Sequence, residues 1–96
     1  MRPSEAWKLH RGTISRVIHE HNGVNPRVFG SSIRGEDTEK SDLDLLIDPT
    51  HLTTLFDIAE IERKLREIIG VRVEVKTPNS LSSRIRTRVL ESAVPL

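Results

Sequence analysis

The amino-acid sequence predicts an α/β fold, a small mixed β-sheet with helices packed on one face. Helical and strand-like patterns alternate along the chain, as they do where helices are layered on a sheet. Residues 71–76, Val-Arg-Val-Glu-Val-Lys, alternate apolar and charged side chains like a strand with one buried face. The chain has 96 residues, enough for one hydrophobic core, so a single domain spanning residues 1–96 is expected.

The first helix is expected near the N-terminus. Ser4 is a candidate cap and Gly23 a candidate stop. Between them, five apolar residues fall on one side of a helical wheel: Ala6, Trp7, Ile14, Val17 and Ile18. This spacing predicts one continuous helix whose apolar stripe faces the sheet.

Two strands are expected on either side of a polar loop. Residues 28–29 are apolar and end at Gly30, which predicts a strand that runs into a turn. Residues 31–41 are polar and predict a loop or a single helical turn. Residues 42–48, Asp-Leu-Asp-Leu-Leu-Ile-Asp, predict a buried strand that Pro49 ends.

A longer helix follows in the second half of the chain. Thr53 or Thr54 is its expected cap, and Gly70 ends it after Ile69. Phe56 lies outside the apolar arc and is either a staple at the helix start or an exposed anchor. The arc expected to face the core contains Leu55, Ile58, Ala59, Ile61, Leu65, Ile68 and Ile69.

The chain ends with a strand and a short helix. In residues 71–76 the valines point to one face, and Arg72, Glu74 and Lys76 point to the other. One face of the sheet is therefore expected to be dry and the other polar. The last helix, ending before Pro95, is marked by Leu81, Ile85 and Val89.

Composition excludes several classes of protein. Without cysteine, disulfides and thiolate metal sites are excluded. The longest apolar runs are far too short for a membrane span, and the N-terminus lacks the apolar stretch of a signal peptide. A net charge of +1 argues against a dedicated nucleic-acid binder. These features favour a cytoplasmic protein.

Two carboxylates mark a candidate metal site. Asp42 and Asp44 lie on the same face of a strand, with Cα atoms about 6.6–7 Å apart. At that distance the charges repel by roughly 2 kcal/mol at an effective dielectric constant near 20. A divalent cation such as Mg²⁺ or Mn²⁺ is the simplest compensation, and Glu74 is a candidate third ligand. The alternative is a pair of surface aspartates on an edge strand.

A glycine-serine turn precedes the two aspartates. Gly30 allows the backbone to approach a phosphate closely, and a helical turn after Ser31 would direct its positive end there. Arg34 could pair with the same phosphates. Without the carboxylates, an ordinary turn would be the simpler interpretation.

Residues 28–48, Val-Phe-Gly-Ser-Ser-Ile-Arg-Gly-Glu-Asp-Thr-Glu-Lys-Ser-Asp-Leu-Asp-Leu-Leu-Ile-Asp, resemble the motif of the polymerase-beta-type nucleotidyltransferase superfamily. In that motif a Gly-Ser is followed, after about ten residues, by Asp-x-Asp within an apolar strand. The chain is most similar to the minimal nucleotidyltransferases, whose third carboxylate lies on a later strand, where Glu74 stands here. The family usually has aspartate at that position, and the glutamate carboxylate reaches about one bond further.

The resemblance implies the polymerase-beta-like fold and a transfer of AMP from ATP to a hydroxyl group. Two Mg²⁺ ions, or Mn²⁺, would be held by the catalytic carboxylates Asp42, Asp44 and Glu74. Gly30 and Ser31 would hold the β- and γ-phosphates, with help from Arg34. Because the domain is small, the acceptor is expected to bring its own recognition surface.

Minimal nucleotidyltransferases are typically antitoxins paired with a HEPN-type RNase toxin, and they can adenylylate a toxin tyrosine. The resemblance therefore implies a hetero-oligomer with such a toxin. The first alternative is an antitoxin that neutralises the toxin by binding alone, which Glu74 favours. Transfer to a small molecule and template-independent polymerisation are weaker alternatives. The three arginines at 84, 86 and 88 would contact an acidic partner or the triphosphate, or remain solvated.

Overall fold

A computed structural model describes residues 1–96 and contains five helices and four strands. The helices are α1 (Pro3–Leu9), α2 (Arg11–Glu20), α3 (Ser31–Arg34), α4 (Leu55–Ile69) and α5 (Ser83–Ser92). The strands are β1 (Gly23–Phe29), β2 (Leu43–Pro49), β3 (Val73–Lys76) and β4 (Val94–Pro95), and a 3₁₀ turn, Pro78–Ser80, follows β3. None of the helices combines the length and apolar character that crossing a membrane requires.

The four strands form one mixed sheet in the order β3-β2-β1-β4. Strands β2 and β3 are parallel, whereas β1 is antiparallel to both β2 and β4. Asp44 pairs with Phe29 on one side and with Glu74 on the other. The predicted fold class, a small mixed sheet with packed helices, is confirmed.

The hydrophobic core lies between one face of the sheet and helices α1, α2 and α4. The strands contribute Val28, Leu43, Leu45, Ile47, Val73 and Val75 to this core. The helices contribute Ala6, Trp7, Ile14, Val17, Ile18, Ile61, Leu65 and Ile69. The alternation in β3 confirms the prediction that its valines are buried, while its charged residues face the other side.

The prediction of one continuous N-terminal helix is wrong. The helix is interrupted at His10, which ends α1 and begins α2. The cap of α1 is Arg2 rather than Ser4. The Ser4 N–H instead donates a hydrogen bond to the Asp37 carboxylate at 2.7 Å, so a loop distant in sequence holds the start of α1. Local apolar spacing does not encode that contact.

Helix α4 begins and ends as predicted, but its buried arc is narrower. Thr54 accepts a hydrogen bond from the Asp57 N–H, and Gly70 ends the helix with a φ of +76°. Leu55, Ile68 and Ala59 are exposed, contrary to prediction, because the helix touches the sheet along one stripe only. Phe56 is 72% exposed, so it is not a staple.

The C-terminal part of the chain differs most from expectation. Helix α5 begins after Leu81 and contributes no buried side chain. Strand β4, which the sequence did not predict, pairs with β1 through Val94 and Pro95. On the polar face, Leu46 is fully buried where the 3₁₀ turn contacts β2. The polar face is therefore covered at one end and accessible at the end that carries the acids.

The outer edge of the sheet at β3 is closed by a side chain of α4. Glu62 accepts a hydrogen bond at 2.9 Å from the Val75 N–H. An edge strand otherwise presents backbone groups that can pair with another strand. The carboxylate therefore satisfies a donor that the sheet leaves unpaired.

Because α4 buries only a narrow arc of side chains, substitutions inside and outside that arc should differ in their effect on the free energy of unfolding. Leu65→Ala removes a fully buried side chain and should lower the free energy of unfolding by about 2–5 kcal/mol. Ile68→Ala, at a position 48% exposed, is the matched control and should cost well under half as much. Urea unfolding of both variants measures the difference. Equal losses would show that Ile68 belongs to the core.

Candidate active site

The turn after β1 lies directly against one of the predicted acids. Gly30 has a φ of +79°, a conformation that side chains rarely adopt. A Cβ atom at this position would lie 2.5 Å from Oδ2 of Asp44. Both the backbone conformation and the available space therefore require glycine here. The antiparallel pairing of Phe29 with Asp44 produces this proximity, because Gly30 is the next residue along the chain.

The short helix α3 begins at this turn. The N–H groups of Ile33 and Arg34 bond back to the Gly30 carbonyl at 3.1 and 3.3 Å. The N–H groups of Ser31 and Ser32 come too early in the helix to have an acceptor within it. The polar loop between the two motifs thus contains the single helical turn that the sequence predicted as one of two options.

The three predicted acids share the accessible end of the polar face. Asp44 and Glu74 are neighbours across the parallel pair β2–β3, and Asp42 is two residues before Asp44. Burial, followed by the charges of Glu74 and Asp42, raises the pKa of Asp44 to about 6. The structure therefore brings together the carboxylates that the sequence singled out, and their mutual repulsion falls on the middle one.

The two outer carboxylates each have a cation from the segment that contains β3. Arg72 Nε lies 2.9 Å from Asp42 Oδ1, and Lys76 Nζ lies 3.0 Å from Glu74 Oε1. The Glu74 carboxylate raises the pKa of Lys76. Asp44 has no such ion pair in the structure. The sequence analysis did not assign Arg72 and Lys76 a role, although the alternation of residues 71–76 already placed both on the face of Glu74.

The carboxylates suit a divalent cation in chemistry, although no three of them converge on one point in this conformation. The outer two point toward their cations. Asp42 Oδ1 is buried and has no hydrogen-bond partner, since the nearby Arg72 lies outside hydrogen-bonding geometry. A buried carboxylate oxygen that has an ion pair but no hydrogen bond, together with the neighbouring carboxylates of Asp44 and Glu74, fits the ligand preference of Mg²⁺ or Mn²⁺.

A cavity of about 360 Å³ opens beside the turn, between α3 and α5. Phe29 points to the face opposite Val28, so the cavity lies on the same side of the sheet as the acids. Arg34 lines this cavity, and its guanidinium is paired with Glu36 at 3.2 Å. Sequence reasoning missed the cavity, which is lined by Phe29, Gly30, Ile33, Arg34, Ile85, Arg88, Val89 and Ser92.

The chain is similar to known proteins in both sequence and fold. Residues 12–96 match the family model described as a nucleotidyltransferase domain. The chain therefore belongs to the nucleotidyltransferase family. This confirms the resemblance that residues 28–48 carry.

Two relatives are similar to most of the chain. Protein adenylyltransferase MntA of Thermococcus cleftensis is 40% identical over 80 residues, which are 82% of this chain and 81% of that protein. A candidate protein adenylyltransferase of Methanocaldococcus jannaschii is 32% identical over 81 residues, 84% of this chain and 87% of the relative.

Solved structures show the same fold. A structure described as a candidate minimal nucleotidyltransferase superposes with a TM-score of 0.86 at 39% identity, covering 97% of this chain and 95% of that one. A toxin–antitoxin structure with AMP-PNP has a TM-score of 0.74 at 17% identity, covering 88% of this chain and 69% of that one. At that identity the second likeness concerns the fold alone.

The contact between Gly30 and Asp44 can be tested by substitution. Gly30→Ala should lower the free energy of unfolding by about 1–3 kcal/mol, from backbone strain and displacement of the carboxylate. Gly35→Ala is the matched control, because Gly35 has a φ of +72° but open space where its Cβ would lie. Denaturant unfolding should show the larger loss for Gly30→Ala. Equal losses would mean that the Asp44 carboxylate moves aside freely.

The raised pKa of Asp44 predicts a pH dependence of stability. Its pKa is about 6 in the folded chain against an ordinary value of 3.8. The folded state thus holds the proton more tightly than the unfolded state, a stabilisation present below about pH 4 and lost as pH rises through 6. Unfolding of Asp44→Asn should therefore show a flatter pH profile than the wild type between pH 4 and 7. Parallel profiles would contradict the assignment.

Proposed function

We propose that this protein transfers AMP from ATP to a hydroxyl group, a tyrosine, of a HEPN-type toxin and thereby acts as an antitoxin. The observation that carries the proposal is the contact between the Gly30 turn and Asp44. This contact supports the proposal because the turn that would bind the phosphates lies beside the carboxylates that would bind the metal. A nucleotidyltransferase needs both elements at one place, because the metal and the phosphates must meet there.

Different residues of the site have different roles in the proposed reaction. Gly30 and Ser31 bind the β- and γ-phosphates through the turn and the first amides of α3, and Arg34 adds positive charge. Asp42, Asp44 and Glu74 would hold two Mg²⁺ or Mn²⁺ ions, which would supply charge stabilisation for the phosphoryl group. The acceptor hydroxyl approaches from the accessible end of the polar face, and Glu74 would accept its proton. The acceptor oxygen bonds to the α-phosphorus of ATP, the bond between the α- and β-phosphates breaks, and pyrophosphate leaves.

The cavity beside the turn offers space for the nucleoside. It adjoins Gly30, so a nucleotide whose phosphates lie on the turn can extend into it. Its apolar wall, formed by Phe29, Ile33, Ile85 and Val89, suits the flat face of a base. These features support binding of a whole nucleotide rather than of phosphate alone.

A protein acceptor is supported by the relatives and by the surface. The relative from Thermococcus cleftensis is named as a protein adenylyltransferase, and similar folds occur in structures described as MntA–HepT toxin–antitoxin complexes. On the chain itself, Leu52, Leu55 and Phe56 are all more than half exposed. Three exposed apolar side chains within five residues of sequence offer a surface for a protein–protein contact.

An antitoxin that acts by binding alone is the alternative. Glu74 stands where the family usually has aspartate, and in the structure its carboxylate is engaged by Lys76. If the ions cannot be held, the chain retains only its surface for neutralisation. The two functions differ in whether the partner becomes covalently labelled.

Labelled ATP distinguishes the two functions. The chain is incubated with ATP carrying a radioactive α-phosphate, Mg²⁺ and the purified protein product of the adjacent gene, as the candidate partner. Label on the partner supports transfer, and a stable complex without label supports binding alone. The chain contains no tyrosine, so any tyrosine-linked AMP must lie on the partner.

Removing the two central carboxylates should abolish transfer. Asp42→Asn combined with Asp44→Asn keeps the shape of both side chains and removes the charges that hold the metal. We expect labelling of the partner to fall at least about a hundredfold while circular dichroism shows an intact fold. Asp48→Asn is a matched control on the same strand, at the end away from the turn, and should leave labelling unchanged. Persistent labelling by the double variant would overturn the site assignment.

A further inference from the structure

The segment that contains β3 carries two cations that flank the third acid of the site. Arg72, Glu74 and Lys76 alternate with buried valines, so all three lie on the polar face. Asp42 is paired with Arg72 and Glu74 with Lys76, at 2.9 and 3.0 Å. Only the middle carboxylate of the site lacks a cation.

We propose that Arg72 and Lys76 are built-in counter-ions that occupy the site until a metal–nucleotide complex replaces them. This inference rests on the proposed function and assigns Arg72 and Lys76 as residues that bind the triphosphate in it. A divalent cation on Asp42 and Glu74 displaces the guanidinium and the ammonium. Both groups are then free to pair with the triphosphate that arrives with the metal.

The charges around the acids favour this exchange. Three carboxylates alone would attract a free divalent cation strongly, whereas two positive charges, at 2.9 and 3.0 Å from the outer acids, cancel most of that attraction. A nucleotide bound to its metal brings negative phosphates as new partners for the same two cations. Metal binding is therefore coupled to nucleotide binding, and the site discriminates against the free ion.

The geometry of the two pairs allows the exchange. The side chains of Arg72 and Lys76 are 68% and 38% exposed, so neither is fixed by packing. Exposed ion pairs of this kind are weak enough for a metal–ligand bond to displace them. The Arg72 guanidinium also donates to the Lys40 carbonyl at 3.1 Å, an anchor that keeps it beside the site after displacement.

The test measures metal binding directly rather than activity. Mn²⁺ is titrated with the wild-type chain or with Lys76→Met, in the absence and presence of AMP-PNP. Electron paramagnetic resonance measures how much of the Mn²⁺ is bound. We expect Lys76→Met to bind free Mn²⁺ at least about threefold more tightly than the wild type, because a competing charge is gone. With AMP-PNP present, its affinity for the metal–nucleotide complex should fall about threefold or more, because a phosphate partner is gone.

Three further variants make the result specific. Lys76→Arg keeps the charge and should behave like the wild type. Lys40→Met removes a nearby charge that is not paired with an acid and should change neither affinity by more than about a third of the Lys76→Met effect. Arg72→Met should repeat the Lys76→Met pattern at Asp42.

The outcomes separate this inference from the proposed function. If the wild type binds Mn²⁺ with AMP-PNP but Lys76→Met and Arg72→Met match Lys40→Met in both titrations, the counter-ion role is overturned and the proposed function stands. If only free-ion affinity rises, the cations compete with the metal but do not bind phosphate, which overturns the second half of the proposal. If the wild type binds no Mn²⁺ with AMP-PNP, both the inference and the proposed function fail.

Discussion

Electrostatic repulsion among Asp42, Asp44 and Glu74 is the constraint on which the rest of this structure depends. Strand periodicity and the parallel register of β2 and β3 force the three carboxylates onto one face. Burial first, and then the charges of Glu74 and Asp42, raise the pKa of Asp44 to about 6. The cations Arg72 and Lys76 at the two outer acids reduce the repulsion without removing it. A fold that keeps such a cluster has to be stabilised elsewhere.

That stabilisation comes from the opposite face of the same strands. In β2, Leu43, Leu45 and Ile47 are fully buried, while the intervening aspartate, Asp44, faces the other way. Strand β2 thus contributes both to the acid cluster and to the hydrophobic core, because successive side chains alternate between the two faces of the sheet. Helices α1, α2 and α4 cover the apolar face, and the acid end of the polar face stays accessible from outside.

The sequence predicted those parts of the molecule whose signal is local. The alternation of β3, the caps of α4 at Thr54 and Gly70, and the order of turn and acids are all visible in short segments. The start of α1 was placed at the wrong residue because the Ser4 N–H bonds to Asp37, which is distant in sequence. The break at His10 was missed because the apolar spacing continues across it.

The features that the sequence did not predict depend on contacts between elements that are distant along the chain. The buried arc of α4 is set by how much of the helix the sheet can cover, so the exposure of Ile68 does not follow from helical spacing. Within the candidate site, the acids and the turn were found by their motif. Predicting the ion pair between Lys76 and Glu74 requires the conformation of both side chains. Predicting the cavity requires the position of α5, which has no buried side chain and therefore only a weak hydrophobic pattern.

The bond from Val75 to Glu62 bears on how another polypeptide can reach the acids. Many complexes form when a segment of one chain extends the sheet of another. In this sheet one edge strand is β3, where the Val75 N–H already donates to the Glu62 carboxylate. The other edge strand is β4, which has only two residues. Addition of a further strand at β3 would have to displace Glu62 from the Val75 N–H, whereas the polar face reaches the carboxylates without breaking a hydrogen bond of the sheet.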